Sequence, residues 1–297
     1  MNNPKVSIII NCYNGEEYLK DAINSIYAQT YNNWEIIFWD NNSTDSSAEI
    51  ANSFDSRLKY FKGNTTVPLY AARNLAIENS TGSLIAFLDC DDWWGRDKLI
   101  KQVQEFADKE IGFCFSDYWV ENESNGKRSL CQQKLRSSEY ILDDLLRSYT
   151  IGLLTLMIRK ETYNQLKEGF NPDFNIIGDF DLVIRLSSIS KSSYLTAALA
   201  HYRYHSTNLS IKDPMKNISE LETWHQDIKK DVTISNSKEF YNIPIIIHYS
   251  KMMYLMKNKQ KKEALRGLLK IPINRKEFLR LVVVFFLPKV VIDYLAR

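Results

Sequence analysis

Three carboxylates crowd into four residues where the apolar run Leu84-Ile85-Ala86-Phe87-Leu88 ends: Asp89, Asp91 and Asp92, with Cys90 inside the group and Trp93-Trp94 after it. Acids this close repel one another, and a hard divalent cation with oxygen ligands is the simplest counter-charge. In open α/β sheets ligands bind beyond the carboxyl ends of the strands. A cation placed there points to a metal that carries a phosphate.

Other polar residues sit at comparable places. Asp40 closes a second strand, where its carboxylate can accept from a nucleobase N–H or cap the helix that follows. Asn11, Tyr13 and Asn14 follow the first strand and line the same crevice, although Asn14-Gly15 also reads as a turn pair. Arg73 follows two alanines that permit close packing, and its guanidinium can fork onto a diphosphate. Asp179 and Asp181 open a predicted helix after Gly178, a position its dipole favours for acids.

The elements that position these residues alternate regularly. Residues 6–10, 35–39, 58–61 and 84–88 read as apolar strands. Helical periodicity marks 18–26, a segment ending near 54, then 70–79 and 98–109. Such β-α alternation predicts a mainly parallel sheet with helices on both faces. Residues 111–120 continue as a strand, and the polar stretch 121–138, with Asn125-Gly126, reads as a loop or hairpin tip. A helix near 140–146, a strand near 153–158, the helix from Asp179 and a strand over 199–205 complete the pattern.

The chain has 297 residues, 44% of them hydrophobic, enough for one large domain with a smaller appendage. Its net charge of +2 is unevenly spread: residues 251–297 hold 12 Lys and Arg against 3 Asp and Glu, so the body is acidic and the tail basic. Nothing in that balance calls for a nucleic-acid partner. The four cysteines, Cys12, Cys90, Cys114 and Cys131, form no CxxC pair, which favours reduced thiols over a disulfide frame or zinc site. Residues 1–5 run straight into a strand without a signal-peptide h-region, and the expected location is cytoplasmic. No GxGxxG occurs, which argues against a dinucleotide oxidoreductase.

Six segments in order, spanning about 4–210, resemble the inverting family 2 glycosyltransferases. They are Val6-Ser7-Ile8-Ile9-Ile10-Asn11-Cys12-Tyr13-Asn14, Asp40-Asn41-Asn42-Ser43-Thr44-Asp45, Ala72-Arg73-Asn74, Leu88-Asp89-Cys90-Asp91-Asp92, Asp179-Phe180-Asp181-Leu182-Val183-Ile184-Arg185-Leu186, and Tyr202-Arg203-Tyr204-His205. The resemblance implies a GT-A fold, Rossmann-like, with a catalytic domain over 1–212 (donor half about 1–118, acceptor half about 119–212) and a helical region over 213–297. It implies a metal-dependent transfer of one sugar from a nucleotide-diphosphate donor, UDP-linked by expectation, to a hydroxyl of a saccharide or lipid-linked saccharide in surface polysaccharide synthesis.

By the same resemblance Asp91 ligates Mn²⁺ or Mg²⁺, with Asp89 and His205 beside it, while Asn11, Tyr13, Asn14, Asp40, Asn42, Arg73, Asp89 and Cys90 contact the donor. Asp179 is the catalytic base and Asp181 its competitor. Asn42 stands where family patterns carry glycine; asparagine tolerates the left-handed backbone a glycine would supply there. Gly178 stands where the family more often has Glu. Processive members carry a QxxRW motif; here Gln133-Lys134-Leu135-Arg136-Ser137 lacks the Trp, so single transfers are expected.

Within the basic tail, the longest uninterrupted apolar run is 281–288, too short for a bilayer core of ~30 Å. A segment lying at the cytoplasmic face of a membrane accounts for both its charge and its apolarity. A helix packed on the catalytic domain or in a dimer is the alternative. Two further functions stand beside transfer: a nucleotidyltransferase acting on sugar phosphates, although no glycine-rich phosphate loop with a lysine is present, and a catalytically inactive nucleotide-sugar-binding homologue.

Overall fold

The computed structural model describes residues 3–133, 135, 139–206, 208, 213–258, 260–268, 271–272 and 275–286, and the chain forms two compact units, Met1–Ser206 and Thr207–Arg297. In the first unit β1 (Val6–Cys12) is buried at every position, as the centre of a sheet covered on both faces must be. Helix α1 (Leu19–Tyr27) buries Leu19, Ala22, Ile23 and Ile26, one stripe at helical spacing. Then come β2 (Trp34–Asp40), α2 (Ser47–Asn52), β3 (Leu58–Lys62), α3 (Leu69–Glu78) and β4 (Leu84–Phe87). Strands β3, β2, β1 and β4 lie side by side and parallel, with Val6 to Cys12 paired to Trp34 to Asp40 without a slip. That register brings the ends of β1, β2 and β4 to one edge. Ile8, Ile10, Cys12, Ile36, Phe38, Ala86 and Leu88 pack with α1 in one core.

Beyond β4 the sheet becomes mixed. The remaining elements are β5 (Trp93–Trp94), α4 (Lys98–Glu105), β6 (Ile111–Asn122), β7 (Lys127–Cys131), α5 (Leu142–Arg147), β8 (Met157–Arg159), α6 (Lys160–Gln165), α7 (Gly178–Ile189) and β9 (Lys191–Tyr204). The sheet order is β3-β2-β1-β4-β8-β6-β9-β5, with β7 on the side of β6. Strand β8 runs antiparallel to both β4 and β6, β9 is parallel to β6, and β5 is antiparallel to β9.

Several boundaries differ from the sequence reading for local reasons. Helix α4 stops at Glu105 instead of reaching 109, because Arg159 collects the carbonyls of Phe106 and Asp108 and Asp108 turns the chain by accepting from Glu110 N. The strand expected over 153–158 is a 3-10 turn at Leu153–Thr155, where Thr155 Oγ1 donates to Gly152 O, and only then β8. The polar stretch after 120 is a hairpin whose tip uses Gly126 at φ +64°. Strand β5, two residues long, carries no periodicity that a sequence could show.

The second unit is helical: α8 (Pro214–Ile228), α9 (Val232–Ser235), α10 (Ile243–Lys257), α11 (Lys261–Leu268) and α12 (Lys276–Phe286). Asp213 caps α8 by accepting from Lys216 N at 2.9 Å. Met252, Met256, Ala264, Ile271, Leu281 and Val284 form its core. Among the described residues no helix is long and apolar enough to cross a membrane. Residues 287–297, the end of the apolar tail, lie outside the described residues.

Candidate active site

The acid loop after β4 is clamped by the end of β9. Arg203 N donates to Asp92 Oδ1 at 2.8 Å, Arg203 Nε donates to Asp91 O at 2.9 Å, and His205 Nε2 lies 3.0 Å from Asp91 Oδ2. The Arg203 guanidinium is sandwiched between the rings of Tyr18 at 4.3 Å and Trp93 at 4.7 Å, and Tyr18 also packs on the His205 ring. Segments 111 to 114 residues apart in sequence are thereby held together, which sets Asp91 and His205 as a pair. Asp92 does not cap α4; it is buried, and its carboxylate fixes the β9 backbone. Burial, then the charges of Asp91 and Asp89, hold Asp92 well above the usual carboxylate range. Burial and Asp89 raise Asp91 as well, against the pull of His205.

This excess of negative charge is what a divalent cation relieves. Among the described residues no cluster of three or more His, Cys, Asp or Glu converges as ligands. Asp91 and His205 therefore offer two donors, and a Mg²⁺-like ion that keeps waters and takes the rest of its shell from substrate phosphates fits such a sparse set. Asp89 is differently placed: its Oδ1 is 2.5 Å from Arg73 Nη2.

Arg73 joins this loop to the second acidic corner. Its side chain is buried on α3, stacked against Tyr70 and Phe170, and its charge also acts on Asp179. Asp179, in the first turn of α7, accepts from Tyr70 OH at 3.3 Å. Burial raises its pKa, while Arg73 and the Tyr70 hydrogen bond oppose the rise. Tyr149 places a buried hydroxyl beside it; burial, then Asp179, pushes that phenol up. Asp181 is committed elsewhere, to Arg185 through Nη2 at 2.5 Å and Nε at 3.0 Å. Of the two acids, Asp179 is the one left in a desolvated aromatic setting, while Asp181 is held in an ion pair. Sequence reading missed Tyr70 and Tyr149, since no spacing connects residues so far apart to Asp179. Gly178 has a visible purpose: a β-carbon there would lie 2.5 Å from the Tyr70 ring.

The ends of β1 and β2 build the third wall. Asp40 is fully buried, accepting from Ser43 N at 2.7 Å and Tyr60 OH at 2.6 Å, so it holds the turn beneath the crevice and caps no helix. Asn14 and Asn42 take left-handed conformations, φ +53° and +67°. Asn14 joins the two loops, its Oδ1 accepting from Thr44 N at 2.8 Å. Asn41 clamps Val67 through its side-chain amide. Two residues remain open to a ligand: Tyr13, more than half exposed, and Asn11, whose buried amide nitrogen and oxygen have no partner. Cys90 lies between Asp89 and Asp91, partly exposed. The paired tryptophans diverge, Trp94 into the core with Nε1 on Leu154 O, Trp93 onto the His201 ring.

A mixed sheet of this order, with Arg73 between the acid loop after β4 and the aspartate on α7, has the architecture of the GT-A class. The chain belongs to glycosyltransferase family 2, whose model, described as glycosyl transferase family 2, matches residues 7–175. It is similar to the putative teichuronic acid biosynthesis glycosyltransferase TuaG of Bacillus subtilis (strain 168), at 32% identity over 215 residues, 70% of this chain and 82% of that protein. It is similar also to the UDP-Glc:alpha-D-GlcNAc-diphosphoundecaprenol beta-1,3-glucosyltransferase WfgD of Escherichia coli, at 31% identity over 57% of this chain and 66% of that one. Among solved structures, S. aureus TarS 1–349 in complex with UDP-GlcNAc matches with TM-score 0.68 at 18% identity, covering 90% of this chain and 82% of that one. The Pyrobaculum calidifontis mannosyltransferase PcManGT, in complex with GDP-Man and Mn²⁺, matches at 0.64 and 15% identity, covering 91% and 75%. The structural likenesses establish the fold, and family membership decides against a nucleotidyltransferase.

Proposed function

We propose that the protein transfers one sugar from a UDP-sugar, with inversion and with a divalent metal, to a hydroxyl of a lipid-linked saccharide during surface polysaccharide synthesis. The observation that carries this reading is the joining of two acidic corners by one buried cation: Arg73 pairs with Asp89 on the donor side and acts on Asp179 on the other. Support for the nucleotide and the lipid-linked acceptor comes from the UDP-GlcNAc bound by the TarS fragment and the diphosphoundecaprenol acceptor in the name of WfgD.

In this reading residues 1–118 hold the donor and 119–212 the acceptor. Asn11 and Tyr13 take the base, with Asp40 and Asn42 shaping the loop beneath it. Asp91 and His205 hold Mn²⁺ or Mg²⁺, which supplies Lewis-acid neutralisation of the departing diphosphate. Asp89 is positioned by Arg73 at the same edge. Asp179 takes the proton from the acceptor hydroxyl as it attacks, and its desolvated setting brings its basicity toward that task. Tyr70 keeps the carboxylate turned toward the crevice.

The C-terminal unit is the proposed membrane contact, at the cytoplasmic face. On α12 Leu279, Val283 and Phe286 are exposed at i, i+4 and i+7, opposite buried Leu281 and Val284, and lysines and arginines flank them. Such a face lies in a lipid interface with basic residues drawn to anionic headgroups.

The test is transfer and donor hydrolysis with Mn²⁺ for the intact protein, Asp91→Ala and Asp179→Asn, alongside melting shifts across a panel of nucleotide sugars. Loss of turnover in both variants with a UDP-sugar shift in the intact protein is expected; activity untouched by both changes, or no turnover in the intact protein, refutes the reading. For the membrane, Leu279→Glu with Val283→Glu must abolish sedimentation with anionic vesicles.

A further inference from the structure

Two cysteines far apart in sequence meet at the mouth of the donor crevice. Strands β1 and β4 run parallel with Val6 opposite Leu84 and Ile9 opposite Phe87, and Leu88 N still donates to Ile9 O at 3.1 Å. The ladder ends there, and the acid loop that follows brings Cys90 up to Cys12 at the end of β1. The sulfurs converge as well. A β-carbon placed on Gly15 would lie 2.8 Å from Cys12 Sγ and 2.8 Å from Cys90 Sγ, so the sulfurs lie within twice that distance of one another.

Both are free thiols. They are not equivalent. Cys12 is buried, its Sγ donating to Ser47 Oγ at 3.4 Å. Cys90 is partly exposed between two acids of the proposed metal loop. Cys90 is the more exposed residue, and each sulfur lies close enough to resolve the other once that one is oxidised. Gly15 permits it, since any side chain there would occupy the space the two sulfurs share.

We propose that Cys90 and Cys12 form an oxidation site, at which a hydroperoxide converts the two thiols to a disulfide and closes the donor crevice. In the first step one of the two sulfurs attacks a peroxide oxygen: an S–O bond forms, the O–O bond breaks, an alcohol or water leaves, and that cysteine becomes a sulfenic acid. In the second, the sulfur of the other cysteine attacks it: the S–S bond forms, the S–O bond breaks, and the hydroxyl departs as water with the second thiol's proton. Two electrons pass from the thiol pair to the peroxide. The bond ties the end of β1 to the residue between Asp89 and Asp91, and so takes from the loop the freedom to close on a metal and diphosphate. The inference goes beyond the proposed transfer, because the covalent change is read without turnover.

The experiment treats the full chain with one equivalent of hydrogen peroxide and follows thiols by alkylation and peptide mass. The expected result is loss of two of the four thiols, a Cys12–Cys90 linked peptide, loss of the melting shift caused by UDP with Mn²⁺, and recovery of both with dithiothreitol. In Cys12→Ser and Cys90→Ser no linked peptide must form, and the variant that keeps the sulfur oxidised first must stop at a sulfenic acid that dimedone traps. Cys12 and Cys90 alkylated separately after peroxide treatment overturns the site. A linked peptide in protein whose UDP shift is unchanged overturns the closure.

Discussion

Replacing Arg73 with methionine removes a buried charge that acts on Asp89 and Asp179 together. The wild-type guanidinium lies 2.5 Å from Asp89 and against the rings of Tyr70 and Phe170. Breaking a buried pair by deleting one partner costs about 3–5 kcal/mol, chiefly through the charge left behind. Here the partner left behind is Asp89, whose side chain is 38% exposed, so water recovers part of the loss and the lower end, about 3 kcal/mol, applies. At roughly 2–4 °C per kcal/mol for a domain of this size, the melting temperature should fall by about 6–12 °C. The kinetic signature is separate. Arg73 holds Asp179 below the value that burial alone would impose, so its removal raises that pKa, keeps the base protonated to higher pH, and moves the acid limb of kcat/KM toward alkaline pH. Arg73→Lys retains the charge and should keep the limb near its wild-type position while losing stability. Melting curves and a pH profile of kcat/KM over the three proteins decide the matter. An unmoved acid limb in Arg73→Met refutes the coupling of Arg73 to a base at Asp179, whatever the stability does.

Four further outcomes follow from the same geometry. Asp179→Asn should lower turnover by roughly 10²–10⁴-fold while leaving the donor-induced melting shift intact; loss of that shift would move Asp179 to the donor side. Because burial and Asp89 raise Asp91, protons compete with the metal above the ordinary carboxylate range, so Mn²⁺ affinity measured by titration should weaken as pH falls through that raised value and show no such step in Asp91→Asn. Lys98 is fully buried over the Trp94 ring, and burial pushes its pKa down from 10.5 to about 7. The unfolded chain therefore binds the extra proton between those values, stability is lost as pH falls from about 10.5 to 7, and Lys98→Met should gain up to about 5 kcal/mol below pH 7 by denaturant titration, a gain that vanishes toward pH 10.5. Gly178→Ala puts a methyl carbon 2.5 Å from the Tyr70 ring, an overpacking of about 1–3 kcal/mol that must also displace the Tyr70 hydroxyl and lower kcat; unchanged kcat would show that Tyr70 does not hold the base.

Local chemistry makes much of the chain legible in its sequence alone. Buried parallel strands need continuous apolar runs, so β1, β2 and β4 stood out, and helices packed on a sheet need a stripe at 3.6-residue spacing, as Leu19 to Ile26 shows. The crowding of Asp89, Asp91 and Asp92 was visible because mutual repulsion is a property of near neighbours. Asn42 at φ +67° fits the left-handed turn for which its residue type was read. Family membership too followed from the order of short segments along the chain.

Everything that depends on which residues meet across the sheet was decided by tertiary structure. Only the return of β9 to the acid loop sets His205 on Asp91 and gives Asp92 the task of holding Arg203. Only the packing of α3 against α7 separates Asp179, facing Tyr70, from Asp181, spent on Arg185. The Cys12–Cys90 pair depends on β1 lying beside β4 and on the loop that follows β4, which no spacing along one strand contains. Strand periodicity and capping arise within a few residues and are written locally, whereas burial, ion pairing and the resulting shifts in acidity arise between segments that only the folded chain brings together.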